Sequence, residues 1–292
     1  MADVVLVTGA SGLIGARLAA MLRGAGVNAV PHSRADGDIA DGMPDVPGVR
    51  HVFHLAAKTF VPDSWISPAG FYRTNVLGTV NVLELCRREG ASFTLVSSYV
   101  YANPPANPIS ETHPVRAINP YSHSKLMAEE IASYYARDFK VRVTIVRPFN
   151  IYGPGQASHF LIPKLLEQAI SPECDTFTVE DARPKRDYLF VDDLCTLLLR
   201  LMERGEVGIY NAGSGHSISV GELAALVNRA AGTSKPVISR ENYRPGEVLD
   251  VVADISKAKT DVGWEPSISL EDGLRRTLSH MVGAGVAHGQ LA

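Results

Sequence analysis

The chain is poor in cysteine. Cys86, Cys174 and Cys195 are its three, odd in number and far apart. No C-x-x-C spacing occurs, which argues against a disulfide framework and against a zinc site. The same scarcity fits a reducing, cytoplasmic setting. Charge is scarce as well: 20% of residues are charged and the formal net charge is −3, so the basic footprint of a nucleic-acid binder is missing. Long apolar runs are missing too. Val4–Val7 is too short for the core of a secretory leader and no basic stretch precedes it, while Leu197–Leu201 is broken by Arg200; no leader and no membrane span is expected. Internal repeats and low-complexity segments are absent.

What is present is a chain of 292 residues, 46% hydrophobic, long enough for one large α/β domain with a smaller partner. The first half alternates short apolar runs with helical patterns. Strands are expected at Val4–Val7, Val27–Val30, His51–Leu55, Phe93–Val96 and Val141–Val146, the last stopped by Pro148. Helices are expected at Leu13–Arg23, at Asn75–Arg88 with Val76, Val80, Leu83 and Cys86 on one stripe, and at Tyr121–Arg137. This alternation predicts a doubly wound parallel sheet over residues 1–150. Beyond that, Pro and Gly punctuate the chain, and short helices fit Phe160–Ala169, Val191–Glu203, Val220–Ala231 and Leu270–Met281. Residues 151–292 are expected to form a smaller, mixed α/β lobe over the carboxyl edge of the sheet, with a part around 191–212 returning to the first domain.

Between the first strand and the first helix stands Thr8-Gly9-Ala10-Ser11-Gly12-Leu13-Ile14-Gly15. Gly9 suits a tight turn, Gly12 a close approach of backbone to a pyrophosphate, and Gly15 the packing of helix on strand. The helix start then turns free N–H groups and a positive dipole end toward the anion. Gly9, Ser11, Gly12, Leu13, Ile14 and Gly15 are therefore candidate dinucleotide contacts, as in the Rossmann arrangement. The second strand runs into Pro31-His32-Ser33-Arg34 with no carboxylate at its end. A basic residue there accepts a 2′-phosphate, so Ser33 and Arg34 favour NADP over NAD. Asp36, two residues further on, is also within reach of a ribose, which keeps NAD open. Asp38 and Ile39 are placed to flank the adenine.

Asn119-Pro120-Tyr121-Ser122-His123-Ser124-Lys125 opens a later helix. Pro120 suits the first helical position, and Tyr121 and Lys125 share one helical face. A nearby ammonium, an oxidised nicotinamide and the helix N-terminus all favour phenolate, so the expected pKa shift of Tyr121 is downward. Tyr121 then moves a proton while hydride moves at the same carbon. A hydroxyl is expected beside them at the end of the strand Phe93–Val96, where Ser97-Ser98-Tyr99-Val100-Tyr101 stands; Ser97 is chosen over Ser98.

Together these residues resemble the extended short-chain dehydrogenases/reductases, the NAD-dependent epimerase/dehydratase family, over nearly the whole chain. Thr8–Gly15 matches T-G-x-x-G-x-x-G. His54-Leu55-Ala56-Ala57 matches the H-x-A-A stretch after the family's fourth strand, and Ser97 its catalytic Ser/Thr position. Asn75 matches the asparagine of the central helix, Arg147–Pro154 the R-x-x-N-x-Y-G-P segment, Arg186–Asp193 the R-D-x-x-x-V-x-D segment, and Arg244–Glu247 the late R-x-G-E/D segment. The resemblance implies catalytic Ser97, Tyr121 and Lys125, and further cofactor contacts at Leu55, Ala56, Ala57, Lys58, Asn75, Pro148 and Asn150. It implies substrate contacts at Ser98, Tyr99, Asn150, His159, Leu161, Lys164, Arg186 and Arg244, with the two arginines on a diphosphate. It also implies a homodimer through Asn75–Arg88 and Tyr121–Arg137. No metal is expected.

Departures from the family narrow the chemistry. A 4,6-dehydratase carries Asp-Glu after its catalytic threonine, where Ser98-Tyr99 stand here. An epimerase-reductase of the GDP-fucose synthase kind carries a cysteine and a histidine where Tyr99 and Gly155 stand. What remains is redox at one sugar carbon, most simply C4. The preferred expectation is an NADPH-dependent reductase of a GDP-, UDP- or TDP-linked 4-keto-6-deoxyhexose. Ala56-Ala57-Lys58…Asp63-Ser64-Trp65 and Phe149-Asn150…Gly153-Pro154-Gly155-Gln156 are especially similar to GDP-4-keto-6-deoxymannose reductases. The alternatives are a 4-epimerase retaining NAD and, more remotely, a non-enzymatic dinucleotide-binding regulator on the same fold.

Overall fold

The computed structural model describes residues 4–101, 107–243 and 248–289. In chain order the elements begin with β1 (Val4–Thr8), α1 (Leu13–Gly24), β2 (Asn28–His32), β3 (Val49–His54), α2 (Val61–Ile66) and α3 (Pro68–Tyr72). A π-turn over Arg73–Leu77 leads into α4 (Gly78–Glu89), followed by β4 (Ser92–Val96), α5 (Pro120–Phe139), β5 (Val143–Pro148) and β6 (Asn150–Tyr152). The second half holds α6 (Leu161–Ile170), β7 (Phe177–Val179), β8 (Lys185–Phe190), α7 (Val191–Arg204), β9 (Gly208–Ala212), β10 (Ser217–Ser219), α8 (Val220–Ala231), β11 (Val237–Ser239), β12 (Asp250–Val251), α9 (Ser256–Val262) and α10 (Leu270–Gly289).

Six strands form the main sheet in the order β2-β1-β3-β4-β5-β9, every pair parallel. The inner strands are buried because helices cover both faces: all five residues of β1 are buried, as are all six of β5, while the edge strand β2 is exposed or half-buried except at His32. The order reverses at β1, between β2 and β3, and a crevice opens there outside the carboxyl ends of the strands. In this chain the His54-Leu55-Ala56-Ala57 stretch follows the third strand rather than a fourth, since Gly37–Gly48 links β2 to β3 without another strand.

Helix α7 and strand β9 belong to this sheet's layers. β9 pairs with β5 from Thr144↔Gly208 to Pro148↔Ala212. α7 places Leu194, Leu197, Leu198 and Leu201 at 1% exposure or less, each stabilising the fold by roughly 1.5–3 kcal/mol through burial. Arg17 of α1 meets Asp192 of α7 with a two-pronged pair at 2.6 and 2.7 Å. The other lobe carries β10-β8-β12, with β6 parallel to β8, and the small β11-β7 pair.

Two buried carboxylates bind these pieces together. Asp193 of α7 accepts from Ser267 N, Ser267 Oγ and Ile268 N at 3.0, 2.8 and 3.0 Å. Asp187 of β8 accepts from Ser214 N and Oγ, Gly215 N and Ala253 N at 2.6–3.1 Å. Both belong to the R-D-x-x-x-V-x-D segment, and their work is structural. On the central helix the buried stripe is Thr79, Val82, Leu83 and Cys86, with Val76 and Val80 only half-buried. The π-turn over Arg73–Leu77 takes Val76 out of the register of α4, in which Leu83 and Cys86 are buried as expected.

Candidate active site

Three glycines shape the loop after β1. Gly9 has φ +69°, and a Cβ on it would lie 2.7 Å from Ala56 N, so this turn and the segment after β3 touch backbone to backbone. A Cβ on Gly15 would lie 2.2 Å from Gly9 O, while one on Gly12 meets only Gly9 O, at 3.4 Å. No side chain caps α1 at Gly12, so its first-turn N–H groups are left for an anion. They open on a cavity of about 730 Å³ lined by Gly9, Ser11, Gly12, Leu13, Ile14 and Gly15.

Ser33, Arg34, Asp38, Ile39, Leu55, Ala56 and Ala57 line the same cavity. Asp36 is held aside: its Oδ2 accepts from Ser33 N and Ser33 Oγ, both at 2.8 Å, closing a short turn over Arg34–Asp36. Those bonds keep its carboxyl below the usual range. Lys58 and Asn75 stand behind the wall rather than in it. Asn75 Oδ1 accepts from Lys58 N at 2.8 Å, and its Nδ2 donates to Lys58 O at 3.0 Å and to Ser124 Oγ at 2.9 Å. Asn75 thereby ties the segment after β3 to α5.

Beneath them His54 is buried between Thr8 and Thr79. Thr79 Oγ1 already donates to Asn75 O at 2.6 Å, so His54 Nε2 must donate to Thr79 and Nδ1 accept from Thr8. Burial and the Lys125 charge push its pKa down to about 3, which fixes it neutral.

Tyr121 and Lys125 rise from the start of α5, which Asn119 caps by accepting from Ser122 N at 2.7 Å, with Pro120 in the first turn. Both line the cavity, as do Ser97, Ser98 and Pro148. Lys125 Nζ donates to Val96 O at 2.7 Å, and burial lowers its pKa to about 8 against the raising influence of Glu129. Ser98, not Ser97, is the serine that pulls on the Tyr121 phenol's pKa, downward. Burial is the largest influence on that phenol and moves its pKa up, against the smaller pull of Ser98. The downward shift expected from the sequence includes the charge of a bound oxidised nicotinamide; in the protein alone, desolvation of the phenolate is the larger influence. Ser97 is 5% exposed and its Oγ has no partner, so it is poised to bond what enters.

A second cavity, of about 490 Å³, adjoins the first and is lined by Asn150, His159, Leu161, Lys164 and Arg186, among others. Arg186 Nη1 donates to Val248 O at 2.9 Å and to Lys185 O at 2.8 Å. Asn150 Nδ2 donates to Asp187 O at 3.0 Å. Tyr99 lies in neither wall; it stacks on Phe149 at 5.1 Å and reaches Asn150 Oδ1 at 3.5 Å. Arg244 lies outside the described residues. Phe149, Ile151, Gln156 and Phe160 line both cavities and were missed from the sequence. The G-P-G-Q run was the one signal near them. Among the described residues there is no His, Cys, Asp and Glu cluster fit for a metal, and no helix is long and apolar enough to cross a membrane.

The uncapped helix end, the glycine cradle and the orphaned Ser97 hydroxyl beside Tyr121 and Lys125 fit a nicotinamide dinucleotide. Comparison with known proteins agrees. Residues 47–277 match the family model described as GDP-mannose 4,6 dehydratase. The chain is 33% identical to a GDP-6-deoxy-D-mannose reductase of Pseudomonas aeruginosa, over 96% of this chain and 97% of the relative. Its fold superposes with TM-score 0.86 on the structure of RMD from Pseudomonas aeruginosa complexed with NADPH, at 29% identity over 97% of this chain and 99% of that one. A UDP-glucose 4-epimerase of Thermotoga maritima, solved with UDP-glucose, gives 0.85 at 27% identity over 96% and 99%. The chain belongs to the GDP-mannose 4,6 dehydratase family, within the extended short-chain dehydrogenases/reductases, and is an enzyme of that family.

Proposed function

We propose that the enzyme reduces the 4-keto group of a nucleotide-linked 6-deoxyhexose with NADPH. The observation that carries the reading is one cavity wall that brings the Tyr121 phenol, Lys125 and the unpartnered Ser97 hydroxyl together with the glycine cradle, the arrangement that gives a proton to a carbonyl oxygen while hydride reaches its carbon. Likeness to the Pseudomonas aeruginosa reductase supports the substrate class. Arg34 in the cavity wall, with Asp36 tied to Ser33, supports NADPH over NADH.

Bound nicotinamide supplies the hydride that reaches C4. Tyr121 gives its proton to O4, and Ser97 donates a hydrogen bond to the same oxygen and orients it. Lys125, fixed by Val96 O, stabilises the phenolate left behind, which regains its proton from water. Residues 1–150 would hold the dinucleotide and 151–292 the nucleotide sugar, with 191–212 serving the first domain. Asn150, His159, Lys164 and Arg186 face the nucleotide, and Arg244 joins Arg186 on the diphosphate. A cytoplasmic homodimer through α4 and α5 completes the reading, supported by Tyr134 and Phe139, both exposed on α5.

Denaturing release of cofactor from the purified protein, read by mass, tests the proposal. A protein that arrives empty and oxidises added NADPH with GDP-4-keto-6-deoxymannose supports it. Retained NAD near one per chain overturns it and puts a 4-epimerase in its place.

A further inference from the structure

Two buried side-chain polar atoms lack any hydrogen-bond partner among the described residues: Ser97 Oγ and Gln156 Oε1. Both residues line the larger cavity, and Gln156 lines the smaller one as well. Buried polar atoms are almost always paired, because an unpaired one costs the full desolvation of that group. That both exceptions fall in one cavity wall marks the place where a ligand supplies partners. Ser97 is already marked by its position beside Tyr121; Gln156 is marked by this signature alone.

The orientation of the amide is settled. Gln156 Nε2 donates to Ile151 O at 2.9 Å, and the reverse orientation would set two carbonyl oxygens against each other. The orphan is therefore an acceptor. An acceptor repels phosphate and carboxylate oxygens, so the diphosphate is excluded as its partner, and a hydroxyl or N–H is required. Gln156 shares its two-cavity position with Phe149, Ile151 and Phe160. That wall joins the Tyr121 end of one cavity to the Asn150 and Arg186 end of the other, which is where the nucleotide-sugar reading puts the hexose, and the donors a hexose carries are its ring hydroxyls.

We propose that Gln156 is a specificity-determining residue whose side-chain carbonyl accepts a hydrogen bond from a ring hydroxyl of the hexose, next to the reacting carbon. This rests on the nucleotide-sugar reading above. A site built to bond a hydroxyl discriminates strongly against a sugar without it.

The test is calorimetric and needs no turnover. Gln156→Met keeps length and loses both amide groups; Gln156→Glu keeps an acceptor. Wild type and variants are titrated with GDP, GDP-mannose, UDP, UDP-glucose and NADPH, and their melting temperatures are recorded. The expected result for Gln156→Met is sugar-nucleotide binding weakened about 5- to 100-fold, with the bare diphosphate and NADPH unchanged and the melting temperature near wild type. Gln156→Glu should recover part of the loss. Equal weakening toward the bare diphosphate, or none toward either sugar nucleotide, overturns the proposal. So does a loss confined to NADPH, which would assign the acceptor to the nicotinamide carboxamide. Should Gln156→Met fail to fold, the decision passes to Gln156→Glu, whose sugar-nucleotide binding must then fall between wild type and none. A wild type that binds the sugar nucleotides but reduces no 4-keto sugar sinks the reductase reading and leaves the assignment of Gln156 standing.

Discussion

Glu129→Gln isolates the charge beneath the reaction centre. Glu129 and Arg147 form a buried pair, with Nη2–Oε2 at 2.6 Å and side-chain exposures of 6% and 4%. Arg147 Nη1 donates onward to the Tyr101 hydroxyl at 3.0 Å, which donates to Asn211 Oδ1 at 2.7 Å. Replacing the carboxylate leaves the guanidinium buried and uncompensated, at a cost of about 3–5 kcal/mol. For a chain this long that corresponds to roughly 6–15 °C in melting temperature. The second effect is kinetic. Glu129 lies one turn beyond Lys125 on α5, and its charge holds the Lys125 pKa up against burial, at about 8. Without that charge the lysine loses its proton at lower pH, so the alkaline fall of kcat moves toward neutrality. The assay is NADPH oxidation from pH 6 to 10 alongside thermal melting. Glu129→Leu combined with Arg147→Met should recover most of the stability, because no buried charge remains unpaired, yet leave the alkaline limb displaced. A Glu129→Gln protein that melts like wild type and keeps its alkaline limb would refute the reasoning on both counts.

Tyr121→Phe should lower kcat by about 10²–10⁴ while NADPH binding, followed by fluorescence, holds; near-normal turnover would remove Tyr121 from proton transfer. Gly15→Ala sets a Cβ 2.2 Å from Gly9 O and should abolish dinucleotide binding in titration, because loop and helix can no longer pack. Arg34→Ala should reduce the preference for NADPH over NADH about tenfold or more, as expected for a lost charge-assisted bond to a phosphate, judged by the ratio of kcat/KM for the two cofactors. His51 and His54, both buried, have folded pKa values of about 3 against an ordinary value near 6.5. Below pH 6.5 the unfolded chain binds protons the folded one refuses, so stability falls with pH through the window from 6.5 to 3, by about 1.4 kcal/mol per unit for each histidine. Urea melts at pH 7, 6 and 5 check the slope, and a flat profile contradicts the burial argument.

The elements that could be read in advance are those whose periodicity spans several turns or a buried parallel strand. β1, α1, β4, α7 and α8 lie within a residue or two of their expected limits. What escaped were segments too short to show a period. β7, β10 and β11 have three residues each and β12 has two; pairing partners far away in sequence make them strands. β8 was visible as a motif and not as a strand, because Lys185-Arg186-Asp187 interrupts the apolar pattern while Asp187 turns inward to four backbone and hydroxyl donors. The π-turn at Arg73–Leu77 has no signature in residue types, and it takes Val76 out of the α4 register.

The candidate site divides along the same line. Glycine spacing and the Tyr121–Lys125 interval are properties of local backbone, so one element suffices to display them. Which serine acts on the phenol is settled instead by how β4 meets α5: Ser98 pulls its pKa down while Ser97 is left unpaired. Asn75 matches a motif that suggests a cofactor contact, yet its three bonds go to Lys58 and Ser124; it braces the wall rather than forming it. Gln156 is the limiting case. A glutamine in a Gly-Pro-rich loop reads as solvated surface, and nothing local distinguishes it. Its interest arises only when Ile151 O engages the amide nitrogen and leaves the oxygen buried without a donor. A residue's type announces what it is able to bond; only the folded surroundings reveal which of its bonds have been left unmade, and the unmade bonds are where a substrate is read.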